Sequence, residues 1–347
     1  MAWQAHVEGH SRHIPTRLCQ SDPLPSFYVC DDTPSLPPPQ IMITDVSPSF
    51  ATKVVNRWYH RRTLIIGDAA HVFPPFGGQG IAAGIRDAQA LSWRLAFLSQ
   101  LAVPCSVREK FLTGWAHERR QVCNHATKLT RANGSITNQR SAFLAFMHRI
   151  LMGILWCVPA IVQNITRSTL GDTFRYEKCE GGFMLRERAG GSKLPQIWIQ
   201  REGQVPELSD TVFISNMARL ALVVVLRGDE TADLADVEKS IEKAALPGGI
   251  LTKESVTFLR LDSLEASLQD EKISQREYRP CSHKDLVAQG IQPITGYDEK
   301  TLERRIGIGA KYVIVRPDFY IHSVASDETG FSENVQEIGR YFGLAEE

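Results

Sequence analysis

The sequence predicts an α/β protein built from two parts. Hydrophobic residues make up 43% and charged residues 22% of its 347 residues, which is ordinary for a globular chain of two or three domains. A short apolar run ending at residues 67–68 is followed by a glycine-rich loop and a long stretch of helical periodicity. Beyond about residue 205, short apolar runs alternate with helical patterns, which indicates strands and helices sharing one sheet.

Charge and cysteine usage exclude several classes of protein. Lys plus Arg equals Asp plus Glu, 39 each, so no net field recruits nucleic acid or an anionic membrane. The N-terminus lacks the pattern of a signal peptide. The most apolar stretch, residues 150–162, is shorter than the roughly 20 residues of a membrane span and predicts a buried or interfacial helix. None of the seven cysteines forms a CxxC pair or has zinc spacing, which predicts no metal site and a reducing, cytoplasmic setting.

The first part of the chain contains four predicted elements. An amphipathic helix is expected over residues 51–58, and a buried strand over the β-branched run 63–66. A helix is expected from about 82 to 101, where apolar residues recur at helical spacing. A second helix is predicted to begin at Ser106 and to end at Asn133-Gly134.

The second part predicts a small α/β domain of about 140 residues, after a connector rich in Gly and Pro at 181–209. The predicted strands cover residues 212–214, 220–226, 256–261, 312–315 and 320–324, and the predicted helices lie near 232–245, 284–289 and 333–342. The last two strands flank Pro317-Asp318 and predict a hairpin.

Residues 67–88, GDAAHVFPPFGGQGIAAGIRDA, carry most of the chemical information. Asp68 places a carboxylate at the end of a predicted strand, where open α/β sheets bind ligands. Gly77, Gly78 and Gly80 remove side chains, so a flat ligand can approach the backbone. The N-terminus of the following helix favours a negatively charged ligand group.

This string resembles the second FAD signature of the aromatic-ring flavoprotein monooxygenases, whose pattern is G-D-A-A-H, then P-P, G-G-Q-G and G-x-x-D-A. Residues 115–120 resemble the Y-x-x-E-R-R helix of that family, with Trp115 in place of Tyr. Residues 189–195 and 315–318 resemble the loop before its C-terminal domain and the closing hairpin of that domain. The likeness covers roughly residues 40–345 and is greatest to the phenol and 3-(3-hydroxyphenyl)propionate hydroxylases.

The resemblance implies an α/β fold with the C-terminal half of a Rossmann-like FAD-binding domain followed by a thioredoxin-like domain. Residues 1–60 would be a remnant of the substrate-domain sheet with an entry helix, and 61–135 the C-terminal part of the FAD-binding domain. Residues 136–204 would be a helical segment and connector, and 205–347 the thioredoxin-like domain.

The resemblance also implies FAD as cofactor, NAD(P)H as co-substrate and O₂-dependent hydroxylation of an aromatic or polyketide-type ring. The implied FAD-binding residues are Asp68, Pro75, Gly77, Gly78, Gln79, Gly80 and Ile81. Asp68 would bind the ribitol hydroxyls, the glycine turn would donate N–H groups to the pyrimidine edge of the flavin, and Pro74 would lie near the substrate. Asp87 is expected to have a structural task. His71 is expected to be packed and hydrogen-bonded rather than a catalytic base.

Two motifs of the family are not found in the sequence. The strand–GxGxxG–helix element that cradles the FAD pyrophosphate does not occur in residues 1–66, and the chain has no Asp-Gly dipeptide. The resemblance therefore implies an N-terminally truncated member. One hypothesis is a monooxygenase acting on a small aromatic substrate, with a separate N-terminal piece or a second copy as partner. The alternative is a degenerate member without redox activity, acting as a partner or non-redox protein.

Overall fold

Two small sheets and two long helices form the first part of the computed structural model. The structure describes residues 52–74, 78–137, 141–158, 174–214, 219–228, 230, 234–243, 246, 249–261, 276–294 and 297–343. Strand β1, Lys53–Val54, pairs antiparallel with β4, His71–Val72. Strands β2, Tyr59–His60, and β3, Thr63–Leu64, form a hairpin.

Two expectations for this region are wrong. Within residues 52–58 the structure has a strand and extended chain instead of a helix, because the neighbouring β-branched residues Val54 and Val55 favour extended backbone. The run 63–66 is not a buried strand. Only Thr63–Leu64 is strand, and Ile66 is 39% exposed.

Helices α1, Gln79–Gln100, and α2, Cys105–Thr137, pack against each other. Both predicted helices are confirmed, although α2 continues past Gly134. Phe111 of α2 shares one hydrophobic core with Leu222 and Phe331 from the second part of the chain. This shared core holds the helices against the C-terminal sheet.

Helix α3, Ala142–Trp156, is apolar along most of its length. The side chain of Ser141 caps it by accepting a hydrogen bond from the backbone N–H of Leu144. Trp156 is 73% exposed, so of the two predicted alternatives for residues 150–162, buried or interfacial, the described part does not show burial. No helix among the described residues has both the length and the apolar character needed to cross a membrane.

A seven-stranded sheet forms the second part of the chain. Its strands are β5 Trp198–Gln200, β6 Glu207–Leu208, β7 Ala221–Leu226, β8 Val256–Arg260, β9 Glu277–Pro280, β10 Tyr312–Val315 and β11 Ile321–Ala325. The order is β11-β10-β7-β8-β9-β5-β6. Strands β7, β8 and β9 are parallel, and the other neighbours are antiparallel.

The helices of this part are α4 Ser209–Ile214, α5 Leu234–Lys243, α6 His283–Ala288, α7 Thr301–Ile306 and α8 Glu328–Tyr341. A βαβ unit over β7, α5 and β8 is followed by the β10–β11 hairpin and α8, so this part has the mixed α/β architecture that the sequence predicts. The predicted strand at 212–214 is wrong because this run belongs to α4. A short apolar run does not distinguish strand from helix, and Asp210 in the first turn favours helix.

Candidate functional site

Asp68 lies in an exposed turn shortly after β3. Residues Gly67–Ala69 form one turn of 3₁₀ helix, closed by a 2.8 Å hydrogen bond from the Ala70 N–H to the Gly67 carbonyl. Gly67 has a φ of +58°, a left-handed conformation that side chains disfavour. The turn therefore presents the Asp68 carboxylate to solvent, where it is available to a ligand.

Gly84 and Asp87 hold this turn against α1. A Cβ atom added to Gly84 would lie 3.5 Å from the Gly67 Cα, so the two backbones are in direct contact. The Asp87 carboxylate accepts a 3.1 Å hydrogen bond from the Gly67 N–H. The G-x-x-D part of the motif thus fixes the position of Asp68 relative to α1.

Asp87 is a fully buried carboxylate with several donors. His71 Nε2 lies 2.6 Å from Asp87 Oδ2, and Arg119 Nε donates to Oδ1 at 2.7 Å. Burial by itself raises the pKa of Asp87, but the His71 hydrogen bond and the Arg119 charge outweigh burial and lower that pKa. Asp87 is therefore ionised, and it ties the motif to α2.

His71 is a packed, hydrogen-bonded residue, as expected. Its ring centroid lies 5.2 Å from that of Trp58 and 4.9 Å from that of Phe73. Ligand atoms of His71, Asp87 and Cys123 lie within 4.8 Å of one another. Burial raises the pKa of Cys123 to about 12, so its thiol is protonated at neutral pH. Because Asp87 already pairs with an arginine, this cluster is best described as internal packing.

The N-terminus of α1 is open. Gly78 is the N-cap with φ +62°, and no side chain caps it. A Cβ atom added to Gly78 or Gly80 would meet no atom within 4 Å, and Ile81 is 83% exposed. The first N–H groups of a helix have no partner within the helix. Among the described residues, no atom fills the space beside Gly78 and Gly80, so the positive end of the helix dipole suits a flat ligand with a negative edge there.

The structure brings together two halves of the predicted site, the Asp68 turn and the first turn of α1. Pro74 is buried. Pro75 and Gly77 lie outside the described residues. An exposed carboxylate next to an uncapped glycine turn fits the polyol chain and the pyrimidine edge of FAD.

A second buried network joins α1 and α2 to the hairpin β10–β11, and motif analysis did not find it. Glu118 accepts from Arg94 at 2.6 Å, from Arg316 at 2.8 and 3.0 Å, and from the Phe183 N–H at 3.0 Å. Arg316 also pairs with Asp318 at 2.6 Å. Burial by itself raises the pKa of Glu118. The charges of Arg316 and Arg94 have the opposite and larger effect, so the pKa falls to about 2.

The three residues of segment 118–120, which resembles E-R-R, thus each contact a different part of the molecule. Glu118 reaches the C-terminal hairpin, Arg119 reaches Asp87, and Arg120 Nη1 donates to the Asn56 carbonyl at 2.9 Å. The resemblance of these residues to the family's E-R-R motif was the available signal. Their partners could not be assigned from the sequence.

Comparison with known proteins supports FAD as the ligand of this part of the chain. Residues 35–130 match the family described as FAD binding domain. Over part of its length the chain is also similar to proteins named as hydroxylases. It is 29% identical over 182 residues to a probable NADH-specific resorcinol 4-hydroxylase of Rhodococcus jostii, covering 52% of this chain and 30% of that protein. It is 31% identical over 132 residues to a 3-(3-hydroxy-phenyl)propionate/3-hydroxycinnamic acid hydroxylase of Comamonas testosteroni, covering 38% and 21% of the two chains.

One solved structure shares the fold of this chain. The anhydrotetracycline hydroxylase OxyS from Streptomyces rimosus superposes with a TM-score of 0.50 at 20% identity, over 86% of this chain and 48% of that one. Each of these matches spans less than half the length of the protein concerned.

Proposed function

We propose that this chain belongs to an FAD-dependent monooxygenase that hydroxylates a phenolic or polyketide-type aromatic ring. The observation that carries the proposal is the folded motif itself: the Asp68 turn is locked beside the open N-terminus of α1 by Gly67, Gly84 and Asp87. The match of residues 35–130 to FAD binding domains supports the cofactor.

The proposed roles follow from the chemistry of each group. Asp68 accepts hydrogen bonds from the ribitol hydroxyls of FAD. Backbone N–H groups of Gly78, Gln79, Gly80 and Ile81 bind the pyrimidine edge of the flavin.

Two further residues follow from the motif. Pro75 and Gly77 would complete the same wall of the FAD site. Pro74, which is buried, would border the substrate.

Bound FAD would supply the redox chemistry, accepting a hydride and activating O₂ for transfer of one oxygen atom to the ring. The protein contributes position and electrostatics. The α1 N-terminus places partial positive charge beside the flavin edge that becomes negative on reduction, which favours the reduced state. The ionised Asp87 pairs with Arg119 and accepts a hydrogen bond from the Gly67 N–H, which keeps the Asp68 turn in place.

Several finer features of the proposal rest on relatives or on composition. NADH or NADPH would supply the hydride, and one relative is named NADH-specific. A cytoplasmic location agrees with the five described cysteines, all of which are free thiols. A separate N-terminal piece or a second copy of the chain remains a predicted partner, which the solution mass from light scattering would reveal.

The proposed activity can be tested with isotopically labelled oxygen. The purified chain, supplied with FAD, NADH or NADPH, and a panel of phenols including resorcinol, is incubated under ¹⁸O₂, and products are analysed by mass spectrometry. One ¹⁸O atom per product, lost in Asp68→Ala but kept in Glu202→Ala, is expected, since Glu202 is an exposed carboxylate in the other part of the chain. Unlabelled substrate throughout the panel would count against the proposal.

A further inference from the structure

We propose that a cleft between the β2–β3 hairpin and α2 binds the pyrophosphate of the nicotinamide dinucleotide, an inference that rests on the proposed function. The cleft has a volume of about 490 Å³, and we call it the basic cleft. Arg57, Arg61 and Arg120 line it, together with the aromatic ring of Tyr59. Sequence analysis identifies no ligand for these residues.

The basic cleft carries an excess of positive charge. Three guanidinium groups line it, and the single carboxylate among its described lining residues is that of Glu109. With histidines neutral, the lining therefore has a net charge of +2. A dinucleotide pyrophosphate carries two negative charges and would balance it.

The guanidinium groups keep donors available for a ligand. Arg61, at a φ of +53° in the hairpin turn, has no hydrogen bond or ion pair with the described residues. Arg57 Nη1 lies 3.3 Å from His60 Nδ1, and Arg57 forms no ion pair with the described residues. Arg120 donates to the Asn56 carbonyl, while its Nε is buried without a hydrogen-bond partner among the described residues.

The chemistry of these groups favours a phosphate-bearing ligand. Guanidinium forks bind phosphate oxygens in a bidentate manner. The cleft volume lies in the range of sites for small molecules and exceeds what one phosphate needs. Tyr59 is half-buried in the wall and offers a ring face to a nucleotide base. The proposed reaction requires two dinucleotides, FAD and NADH or NADPH. Because FAD is assigned to the Asp68 turn and the N-terminus of α1, we assign the basic cleft to the nicotinamide dinucleotide.

The basic cleft is connected to the proposed flavin site through one aromatic contact. Trp58 lies between Arg57 and Tyr59 in the sequence and packs on His71, with ring centroids 5.2 Å apart. His71 in turn binds Asp87, which holds the Asp68 turn. Ligand binding in the cleft would therefore occur next to the elements that carry the flavin motif.

Isothermal titration calorimetry with NADH, NADPH and inorganic pyrophosphate tests the inference. The double variant Arg57→Gln/Arg61→Gln is compared with Arg62→Gln, because Arg62 is an exposed neighbour that does not line the cleft. We expect the double variant to bind the dinucleotide at least tenfold more weakly, and Arg62→Gln to stay within twofold of the parent chain. Circular dichroism confirms that the variants fold.

Three outcomes would overturn the inference: no dinucleotide binding by the parent chain, equal weakening in Arg62→Gln, or binding of pyrophosphate without NADH or NADPH. FAD retention, measured on the same preparations, separates this test from the proposed function. Retained FAD without dinucleotide binding would reject only the basic cleft. Arginine-dependent dinucleotide binding in a chain that retains no FAD would reject only the flavin proposal.

Discussion

Replacing Glu118 by Gln tests how strongly the buried ion network stabilises the fold. The substitution keeps the size of the side chain but removes the charge that pairs with Arg94 and Arg316. Removing one partner from a buried ion pair costs about 3–5 kcal/mol, because the remaining charge stays buried. The pKa of Glu118 gives a similar value, since a fall from 4.5 to about 2 corresponds to about 3 kcal/mol of folding free energy.

The sign of the pH dependence follows from the lowered pKa. Glu118 ionises more readily in the folded chain than in the unfolded one, so its contribution is complete above about pH 4.5 and is lost as the pH falls toward 2. Urea unfolding followed by tryptophan fluorescence measures the effect, because Trp93 and Trp115 are buried. We expect Glu118→Gln to lose about 3 kcal/mol at pH 7 and progressively less below pH 4.

Glu109→Gln is the matched control, as Glu109 is an exposed residue on the same helix. Its effect should stay within about 0.5 kcal/mol. A loss below about 1 kcal/mol in Glu118→Gln, or a loss equal to that of the control, would refute the reasoning about the network.

Two further predictions concern the backbone and the thiols. Gly181→Ala should lower the free energy of unfolding by more than about 2 kcal/mol, because its Cβ would lie 2.2 Å from a backbone carbonyl of α2. Gly203→Ala has a similar φ, +71°, and open space, so urea unfolding should show a loss of only about 1 kcal/mol; equal losses would contradict the steric argument. Iodoacetamide should label Cys105 in the native chain and spare Cys123, because Cys123 is 1% exposed and burial raises its pKa to about 12. Mass spectrometry after a timed reaction checks this, and rapid labelling of Cys123 would show that the core around it opens.

The sequence was sufficient for the parts of the fold that depend on local pattern. Helix α1 and the turn before it were predicted because the string 67–88 contains the turn glycines, the carboxylate and the helix start in direct succession. The structure of residues 52–58 was not predicted correctly. Two-residue strands such as β1 and β2 are too short to show the alternating pattern that would outweigh an apparent helix pattern.

Long-range pairing explains the other omissions. Glu118 and Arg316 are 198 positions apart, and no local sequence pattern indicates that they form an ion pair. Asp87 was expected to be structural, but its partner Arg119 on α2 lies 32 positions away and could not be assigned from the sequence. The basic cleft could not be predicted for the same reason. Arg57 and Arg61 are far from Arg120 in the sequence, and only the fold brings the three into one cleft.

The most direct test of the central claim is the absorbance spectrum of the purified chain after incubation with FAD and desalting. The account predicts retained flavin bands with a perturbed shape, lost in Asp68→Ala and kept in Glu202→Ala. A folded but colourless protein, or flavin retained equally by Asp68→Ala, would contradict the assignment of the Asp68 turn and the α1 N-terminus as an FAD site.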